Sequence, residues 1–456
     1  MSKLLLAALA TLFLAALLAI IDFFGVATVP ETVLFAARWG AIAVLAAYAV
    51  RKRSLTTWIL VSMVVGAAIG HDFPEVAVGL RILSQIFIRL IRTIVAPLIF
   101  ATLVVGIAGH SNLRQVGRMG VKALIYFEVV TTLALLIGWA AITISQAGAN
   151  INLPPAPEQM AQPAQRTWQE IVLDIFPENI ARAVAEAEML QIVVFAVLFG
   201  IGLAMLTDEK RRPMLAFTES LAETMFKFTN IVMKLAPFGV GAAIAYTVGH
   251  LGLGILVNLF MLLATFYVAV AVFILVVLLP VALIARVPIR TFARAVAEPV
   301  SIAFATTSSE AALPRAMEAM ERIGVPRQIV SFVMPTGYSF NLDGSTLYLS
   351  LTAMFVAQAA GIELTTSQQL VLLLTLMLTS KGVAGVPRGG VVVLLGTVAS
   401  FGLPVEPVFI ILGIDELLDM VRTSVNVLGN CLATVIVAKW EGEFQPRELT
   451  IDESTN

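Results

Sequence analysis

Long apolar stretches separated by short polar segments recur along the whole chain. Crossing the hydrocarbon core of a bilayer takes an apolar helix of about 20 residues. Ten stretches approach or exceed that length: 4–26, 33–50, 56–70, 79–108, 121–147, 190–206, 215–248, 253–285, 327–360 and 405–438. Two further apolar stretches, near 295–324 and 368–402, are interrupted by polar residues. The pattern predicts an all-α polytopic membrane protein surrounded by lipid.

Positively charged residues cluster in five short connections, and such loops stay on the cytoplasmic side of a membrane. The clusters are Arg51, Lys52 and Arg53; Arg114, Arg118 and Lys122; Lys210, Arg211 and Arg212; Arg286, Arg290 and Arg294; and Arg315, Arg322 and Arg327. All five lie inside if both interrupted stretches are re-entrant hairpins, the first entering from the cytoplasm and the second from outside. This threading predicts cytoplasmic termini and an external loop at 148–189.

Two interpretations fit the first fifty residues, because Lys3 followed by an apolar run also resembles a secretory signal peptide. The run at 4–26 is longer than an ordinary signal core, and no small-residue cleavage site precedes a soluble domain. We therefore expect residues 1–55 to form two additional N-terminal transmembrane segments.

Composition and charge exclude several other classes of protein. Hydrophobic residues make up 59% of the chain, charged residues 13%, and the mean hydropathy is +0.94. A net charge of −1, without a basic cluster interleaved with aromatic residues, argues against a nucleic-acid partner. Cys431 is the single cysteine, which excludes an internal disulfide, and His71, His110 and His250 lie apart at segment ends. We expect no metal centre and no cofactor.

The last apolar stretch carries polar side chains that are costly inside a membrane. Asp419, Arg422, Thr423, Asn426 and Asn430 fall at helical spacing, so a helix places them on one face. Ionisable groups in membrane helices face a bundle interior or a water-filled cavity. The alternative is an Asp419–Arg422 ion pair that only joins helices. The length of the polar stripe favours a binding site.

Small and polar residues also lie at the centres of both interrupted stretches. The first contains Ser308, Ser309 and Glu310, and the second runs from Thr379 to Pro387 and contains Lys381. Irregular backbone at membrane depth is tolerated only where it is buried in protein or lines a cavity. Two interfacial surface loops would leave Glu310 and Lys381 unexplained.

Pro335, Gly337, Asn341 and Asp343 interrupt the stretch at 327–360 and predict a broken helix. Discontinuous helices in transporters point their ends and loosened carbonyls at substrates and coupling ions. The three interrupted segments and the polar stripe therefore predict one binding region.

On these residues the chain resembles the dicarboxylate/amino acid:cation symporter family, which includes the glutamate transporters. The resemblance covers about residues 56–440 and rests on motifs in family order: Ser308-Ser309, Asn341-Leu342-Asp343-Gly344, Gly385-Val386-Pro387, and Asp419 with Arg422, Thr423 and Asn426. It implies a glutamate-transporter-like fold with eight core transmembrane helices and two re-entrant helical hairpins. It also implies a homotrimer that works by an elevator mechanism.

The resemblance further implies a division of labour along the chain. Scaffold helices at 56–120 and 190–250 would stay fixed. A transport domain formed by the helix at 121–147 and by residues 251–440 would move. The tail at 441–456 would be cytoplasmic.

Roles in substrate binding follow from the same resemblance. Arg422 matches the arginine that binds the side-chain carboxylate of an acidic substrate, and Asp419 matches the acid that binds its ammonium group. The other implied contacts are Ser308, Ser309, Ser345, Gly385, Val386, Thr423 and Asn426. A partner for an amine favours an amino acid over a C4-dicarboxylate.

The coupling ion is where the chain departs from sodium-driven members. The resemblance places remnants of sodium sites at Gly337, Ser339, Asn341, Asp343, Ser380, Lys381 and Asn430. Asn430 stands in place of a carboxylate, and Lys381 in place of an apolar residue. A hard cation needs several oxygen ligands. We therefore expect dismantled sodium sites, with the Lys381 ammonium filling the space of a cation.

A proton is then the expected coupling ion, which requires a titratable group. Glu310 is the first candidate, because partial burial favours the protonated form of a carboxyl. Glu128 and Asp343 are the other candidates, although Glu128 could instead face a buried base and Asp343 could be neutralised by Lys381.

The sequence thus predicts a proton-coupled symporter of L-glutamate and L-aspartate. Sodium coupling and a C4-dicarboxylate substrate are the alternatives within this class. From another class, an anion channel would use a polar lumen without alternating access. An intramembrane enzyme is disfavoured, because no histidine pair, metal cluster or Ser–Lys dyad on facing helices is visible in the sequence.

Overall fold

The computed structural model describes residues 3–23, 25, 27–108, 113–149, 151, 173, 176–185, 189–382 and 389–447. Every regular element in these ranges is a helix. The helices are Lys3–Phe23, Glu31–Lys52, Leu55–Asp72, Pro74–Gly79, Arg81–Ala108, Leu113–Ser145, Ile180–Ala185, Met189–Ala204, Asp208–Met233, Ala236–Leu251, Ile255–Phe273 with its continuation to Ile284, Ile289–Thr306, Ser309–Arg322, Arg327–Phe340, Asp343–Ala359, Thr366–Thr379, Gly389–Ser400, Glu406–Leu412 and Asp415–Glu441. The predicted all-α class is confirmed.

Five of the described helices are long and apolar enough to cross a bilayer unaided. They are Glu31–Lys52, Leu55–Asp72, Met119–Ser145 within the longer helix, Ile255–Ile284 and Asp415–Glu441. The pair Asp208–Met233 and Ala236–Leu251 meets the same criterion when counted together as one bent span. These helices coincide with predicted spans, which supports a multi-pass membrane protein.

Two predicted spans are divided in the structure. The stretch at 215–248 covers most of helix Asp208–Met233 and most of helix Ala236–Leu251. Pro237 lies in the first turn of the second helix, where its missing N–H removes no helical hydrogen bond. The stretch at 405–438 starts with the short helix Glu406–Leu412, and the long helix begins only at Asp415. Each of these two apolar stretches is therefore built from two helices.

The structure divides into two compact units. The first comprises residues 1–90, 231–257 and 412–416. Inside it, helix Leu55–Asp72 packs against helix Ala236–Leu251 with small residues at the contact. A Cβ atom on Gly66 would overlap the carbonyl of Gly241, and one on Gly70 would lie 2.6 Å from the carbonyl oxygen of Ala245. Small residues at such spacing let membrane helices approach closely.

Within the first unit, the second N-terminal helix is joined to helix Leu55–Asp72 by a charged contact. Arg38 binds both carboxylate oxygens of Asp72, with Nε 3.1 Å from Oδ2 and Nη2 2.6 Å from Oδ1. The indole Nε1 of Trp39 also donates to Asp72 Oδ2 at 2.8 Å. The predicted N-terminal pair therefore exists as two helices, with the second joined to helix Leu55–Asp72.

The second unit comprises residues 91–230, 258–411 and 417–456 and contains every candidate site residue. Its centre is helix Asp343–Ala359, which is buried along its whole length except at Gln358. Helix Leu113–Ser145 packs along it, and Gly138 permits the approach, since a Cβ atom there would overlap Ser350 and the Leu347 carbonyl. A helix buried on all faces holds its polar residues inside the protein.

Three interrupted segments belong to this second unit. The predicted broken helix is confirmed, because helix Arg327–Phe340 ends before Asn341 and the next helix begins at Asp343. The first hairpin consists of helices Ile289–Thr306 and Ser309–Arg322, which pack on each other. The second consists of Thr366–Thr379, a short 3₁₀ turn and Gly389–Ser400. That these hairpins are re-entrant stays a prediction, as does the division into a scaffold and a moving domain.

Candidate functional site

The acid and the base of the last helix form a buried pair. Asp419 and Arg422 are each 2% exposed. Asp419 Oδ1 accepts hydrogen bonds from Arg422 Nε at 3.0 Å, from Arg422 Nη2, and from Thr423 Oγ1 at 3.0 Å. Burying two ions is costly unless they are paired and hydrogen-bonded. This arrangement, called the charged pair below, neutralises both ions within one turn of helix.

Tyr348 supports the arginine from the neighbouring helix. Its ring centroid lies 4.5 Å from the Arg422 guanidinium carbon, in cation–π geometry. Gly390 lies against the same group, because a Cβ atom there would overlap Arg422 Nη1. Tyr348 was not among the residues predicted from the sequence, although Tyr348 follows Ser345 by three residues and so lies on the same helix face. The arginine is thus fixed by an acid and an aromatic ring.

Asn426 joins the last helix to the break before helix Asp343–Ala359. Its Oδ1 accepts from the backbone N–H groups of Gly344 at 2.8 Å and Ser345 at 3.2 Å. Its Nδ2 donates to Ser345 Oγ at 2.9 Å. Helix N-termini leave unsatisfied N–H groups that need such acceptors. Asn426 and Ser345 therefore contact each other, and Asn426 also binds the start of the helix.

The structure places the first hairpin tip as a tight turn. Thr307 adopts a left-handed conformation with φ 51°, and Ser308 caps helix Ser309–Arg322 by accepting from the Ala311 N–H at 3.2 Å. Ser309 is half-buried and Glu310 is exposed. The hydroxyl of Ser424 on the last helix reaches the Val300 carbonyl of this hairpin at 3.5 Å. The predicted contacts Gly385 and Val386 of the second tip lie outside the described residues.

A second group of polar residues lies deeper in the same unit. Asn341, Asp343 and Asn430 are fully buried. Within the described part of the chain, their side-chain oxygen and nitrogen atoms have no hydrogen-bond partner. A Cβ atom on Gly429 would overlap the Asp343 carboxylate, and one on Gly337 would overlap the Asn430 amide. We call Asn341, Asp343 and Asn430 the buried polar cluster.

Lys381 lies beside this cluster at the end of the second hairpin's first helix. Its ammonium is 3.0 Å from Glu128 Oε1, and it donates to Thr131 Oγ1 at 3.1 Å and to the Phe340 carbonyl at 3.0 Å. These three oxygen groups form what we call the Lys381 cradle. Glu128 therefore faces a buried base, as one of the two sequence interpretations had it.

The remaining predicted site residues have simpler surroundings. The buried hydroxyl of Ser380 donates to the Met377 carbonyl of its own helix at 2.8 Å. Gly337 lies near the end of helix Arg327–Phe340, where it makes room for Asn430. Ser339 is part of the same helix, but its side chain lies outside the described ones. Of the predicted remnants, the structure thus brings together Gly337, Asn341, Asp343, Lys381 and Asn430.

Apolar spans and a buried site of charged and amide side chains define a multi-pass membrane transport protein. Residues 55–440 match the model of the Sodium:dicarboxylate symporter family, and the chain belongs to this family. The resemblance seen in the sequence is therefore confirmed. Helices Lys3–Phe23 and Glu31–Lys52 precede the matched range.

Several similar proteins of known name are transporters. The chain is 44% identical to the proton/sodium-glutamate symport protein of Bacillus caldotenax over 405 residues, 86% of this chain and 96% of that protein. It is 43% identical to the proton/glutamate-aspartate symporter of Escherichia coli strain K12, over 87% of this chain and 95% of that protein. It is also 39% identical to the C4-dicarboxylate transport protein of Laribacter hongkongensis, over 88% and 92% of the two chains.

Proposed function

We propose that this protein is a secondary active symporter that takes up L-glutamate and L-aspartate together with protons and performs no covalent chemistry. The observation that carries the proposal is the charged pair, an acid and an arginine buried side by side in a membrane protein. An acidic amino acid presents a side-chain carboxylate and an ammonium group, which are the counter-ions of Arg422 and Asp419. Two relatives that carry glutamate in their names, both above 40% identical, support the same substrate.

Binding would proceed by exchange of ion pairs. Arg422 and Asp419 neutralise each other in the structure. A bound amino acid would give Arg422 a carboxylate for its planar pair of donors and Asp419 an ammonium group, so that both ions stay paired. A C4-dicarboxylate would satisfy only the arginine. The C4-dicarboxylate transport protein among the relatives keeps that substrate as the second candidate.

The wider mechanism is proposed from family membership. The second unit would carry the substrate as part of a moving domain, and the protein would act as a homotrimer in a bacterial inner membrane with both termini in the cytoplasm. Alternating access of this kind occurs around a site fixed in the moving part. An anion channel, by contrast, would conduct without concentrating its substrate.

Protons are proposed as the coupling ions, with Glu310 as first carrier. Glu310 is exposed in the first turn of helix Ser309–Arg322, so the partial burial expected from the sequence is not observed. The proposal rests instead on its position at the hairpin tip, next to the half-buried Ser309. The Lys381 ammonium supports independence from sodium, because it binds the oxygens of Thr131 and Phe340 itself. Sodium coupling is the alternative that the buried polar cluster supports, since its oxygens lack partners among the described residues.

Uptake of L-glutamate into proteoliposomes containing the purified protein tests this function. One arm applies an inward proton gradient without sodium, and the other an inward sodium gradient at symmetric pH. Accumulation in the first arm alone is the expected result. Accumulation driven by sodium alone would refute proton coupling, and flux without accumulation in either arm would point to a channel.

Changing Glu310 to glutamine is expected to separate transport from the proton gradient. The amide cannot carry a proton, so proton-driven accumulation should fall to the level without a gradient, while exchange of internal for external glutamate continues. Accumulation and exchange are measured in the same proteoliposomes. Glu318→Gln is the matched control, because Glu318 is an exposed acid on the same helix and pairs with Arg315. Unchanged proton-driven accumulation in Glu310→Gln would exclude Glu310 as the carrier.

A further inference from the structure

The last helix ends in a left-handed turn that redirects the chain. Gly442 has φ 74°, and the N–H of Glu443 donates across it to the Ala438 carbonyl at 3.0 Å. A left-handed glycine with this hydrogen bond is a common end of a helix. The segment that starts at this turn, residues 442–447, is called the C-terminal strap below. It lies beyond residue 440, where the match to the family model ends.

The C-terminal strap binds the connection that leaves the first hairpin. The N–H of Gln445 donates to the Gly324 carbonyl, and the N–H of Arg447 donates to the Ile323 carbonyl, both at 3.1 Å. Gly324 has φ 102°, a conformation that favours glycine. A Cβ atom on Gly324 would also overlap the carbonyl of Gln445. Glycine is therefore needed here both for the backbone conformation and for the close approach of the strap.

The end of the last helix binds the connection that enters the same hairpin. Lys439 Nζ donates to the carbonyl of Arg286 at 3.0 Å, just before helix Ile289–Thr306 begins. The same ammonium lies 5.0 Å from the ring centroid of Phe444 in the strap, in cation–π geometry. The strap and Lys439 together therefore contact both connections that join the first hairpin to the rest of the second unit.

A third contact fixes the point from which the strap starts. Lys122 Nζ donates to the Trp440 carbonyl at 2.7 Å and lies 2.7 Å from Glu441 Oε1. The Trp440 ring packs edge-on against Tyr126, with 6.2 Å between the ring centroids. Helix Leu113–Ser145 thus holds the last turn before the strap in place.

Both connections of the first hairpin have the backbone features of a hinge. Each contains a residue in the left-handed region, Arg286 with φ 53° and Gly324 with φ 102°. Hinge motions are absorbed by a few residues in loops or at the ends of helices. The hairpin also contacts the last helix where the hydroxyl of Ser424 reaches the Val300 carbonyl at 3.5 Å. Hydrogen bonds at both hinges therefore restrain rotation of the hairpin away from this helix.

We propose that the C-terminal strap is a releasable latch for the first hairpin. While its hydrogen bonds are formed, the hairpin stays against the last helix, and their loss lets the hairpin move away. All strap residues except Phe444 are exposed, and segments with few buried contacts open at low cost in free energy. Release would uncover the charged pair from the side of the first hairpin. This consequence for substrate rests on the proposed function, whereas the latch itself does not.

Hydrogen–deuterium exchange of the purified, full-length protein without substrate tests the latch. In Gly324→Ala the added methyl group would displace Gln445, and the strap would lose its hydrogen bonds to the hairpin connection. We expect the amides of residues 289–322 to exchange about tenfold faster than in wild type. Helix Thr366–Thr379 of the second hairpin should keep its wild-type exchange rates, because it does not depend on the strap.

Gly361→Ala is the matched control for this change. Gly361 also has a positive φ, 66°, but its surroundings leave open space where a Cβ atom would lie. Alanine at this position therefore carries a backbone cost without touching the strap. The amides of residues 289–322 should exchange in Gly361→Ala as they do in wild type.

Two shortened chains test the latch without any change in the hairpin connection. A chain that ends at Gly442 lacks the part of the strap that binds Ile323 and Gly324, whereas a chain that ends at Arg447 keeps it. Only the chain that ends at Gly442 should show faster exchange in residues 289–322. This comparison decides the matter where Gly324→Ala does not yield folded protein.

The proposal fails if the chain that ends at Gly442 exchanges at wild-type rates in residues 289–322. It also fails if both hairpins exchange faster to the same extent, because the strap would then stabilise the protein as a whole. Binding of L-glutamate to wild type is measured separately. Faster exchange confined to the first hairpin, without glutamate binding, would refute the proposed function and leave the latch standing. Glutamate binding with unchanged exchange would do the reverse.

Discussion

Replacing Arg422 with cysteine is expected to abolish binding and uptake of acidic amino acids while the protein stays folded. The Arg422 guanidinium is 2% exposed, so a substrate carboxylate bound to it would be shielded from water. Truncating one partner of a buried, hydrogen-bonded charge pair costs about 2–5 kcal/mol. This corresponds to an affinity loss of roughly 30-fold to several thousand-fold.

The measurement compares affinities for L-glutamate and L-glutamine, which differ only in the charge of the side-chain terminus. The cysteine variant should lose its preference for glutamate, because the cation that selects the carboxylate is absent. Arg422→Lys keeps the positive charge without the planar guanidinium group. Its preference for glutamate over glutamine should therefore lie between those of wild type and Arg422→Cys.

An ion pair outside the candidate site provides the control for this change. Asp208 and Arg211 have the same spacing and order as the charged pair, and the Arg211 guanidinium binds Asp208 Oδ1. Arg211→Cys should leave glutamate affinity unchanged. Thermal unfolding is measured to verify that Arg422→Cys is folded. We expect it to fold, because Asp419 loses one hydrogen-bond partner but keeps the hydroxyl of Thr423. Preserved glutamate affinity in folded Arg422→Cys would contradict the role given to Arg422.

Much of the candidate site is predictable from the sequence because charges are rare in membrane helices. Asp419, Arg422, Thr423 and Asn426 stand out in an apolar stretch, and helical spacing puts them on one face. The structure buries all four, as that argument expects. The break at Asn341 follows in the same way, since proline, glycine and an acid interrupt a helix predictably.

Contacts between distant segments are not predictable from such patterns. Lys381 and Thr131 are in contact although they lie 250 residues apart in the sequence, and the residues around neither of them predict this contact. Tyr348 is one of many residues in an apolar helix, and only the packing of two helices places it beside Arg422. Several polar side chains compete for the same hydrogen-bond partners. For this reason the sequence did not show that Asn426 binds the start of helix Asp343–Ala359.

The N-terminal helices illustrate the same limit. Apolar length predicts two segments before residue 55, and helices Lys3–Phe23 and Glu31–Lys52 are present. The contact of Arg38 and Trp39 with Asp72 depends on which faces meet, and spacing alone does not determine that.

Replacing Asp419 with serine is expected to weaken amino acids far more than acids that lack an amine. Serine removes the anionic partner of the substrate ammonium group, at a cost of about 2–5 kcal/mol for a buried pair. The same change releases the Arg422 guanidinium, which Asp419 Oδ1 otherwise binds through Nε and Nη2. A released arginine favours any carboxylate, so an acid without an amine should lose little affinity or gain some.

L-Glutamate and glutarate make this comparison sharp, because they differ only in the α-amine. The ratio of their inhibition constants is measured on wild type, Asp419→Ser and the surface control Asp208→Ser. We expect the ratio to move toward glutarate in Asp419→Ser alone. An equal loss of both ligands would show that Asp419 acts by holding Arg422 in place and does not contact the amine. In that case the charged pair would no longer distinguish an amino acid from a dicarboxylate, and glutarate uptake by wild type would become the decisive measurement.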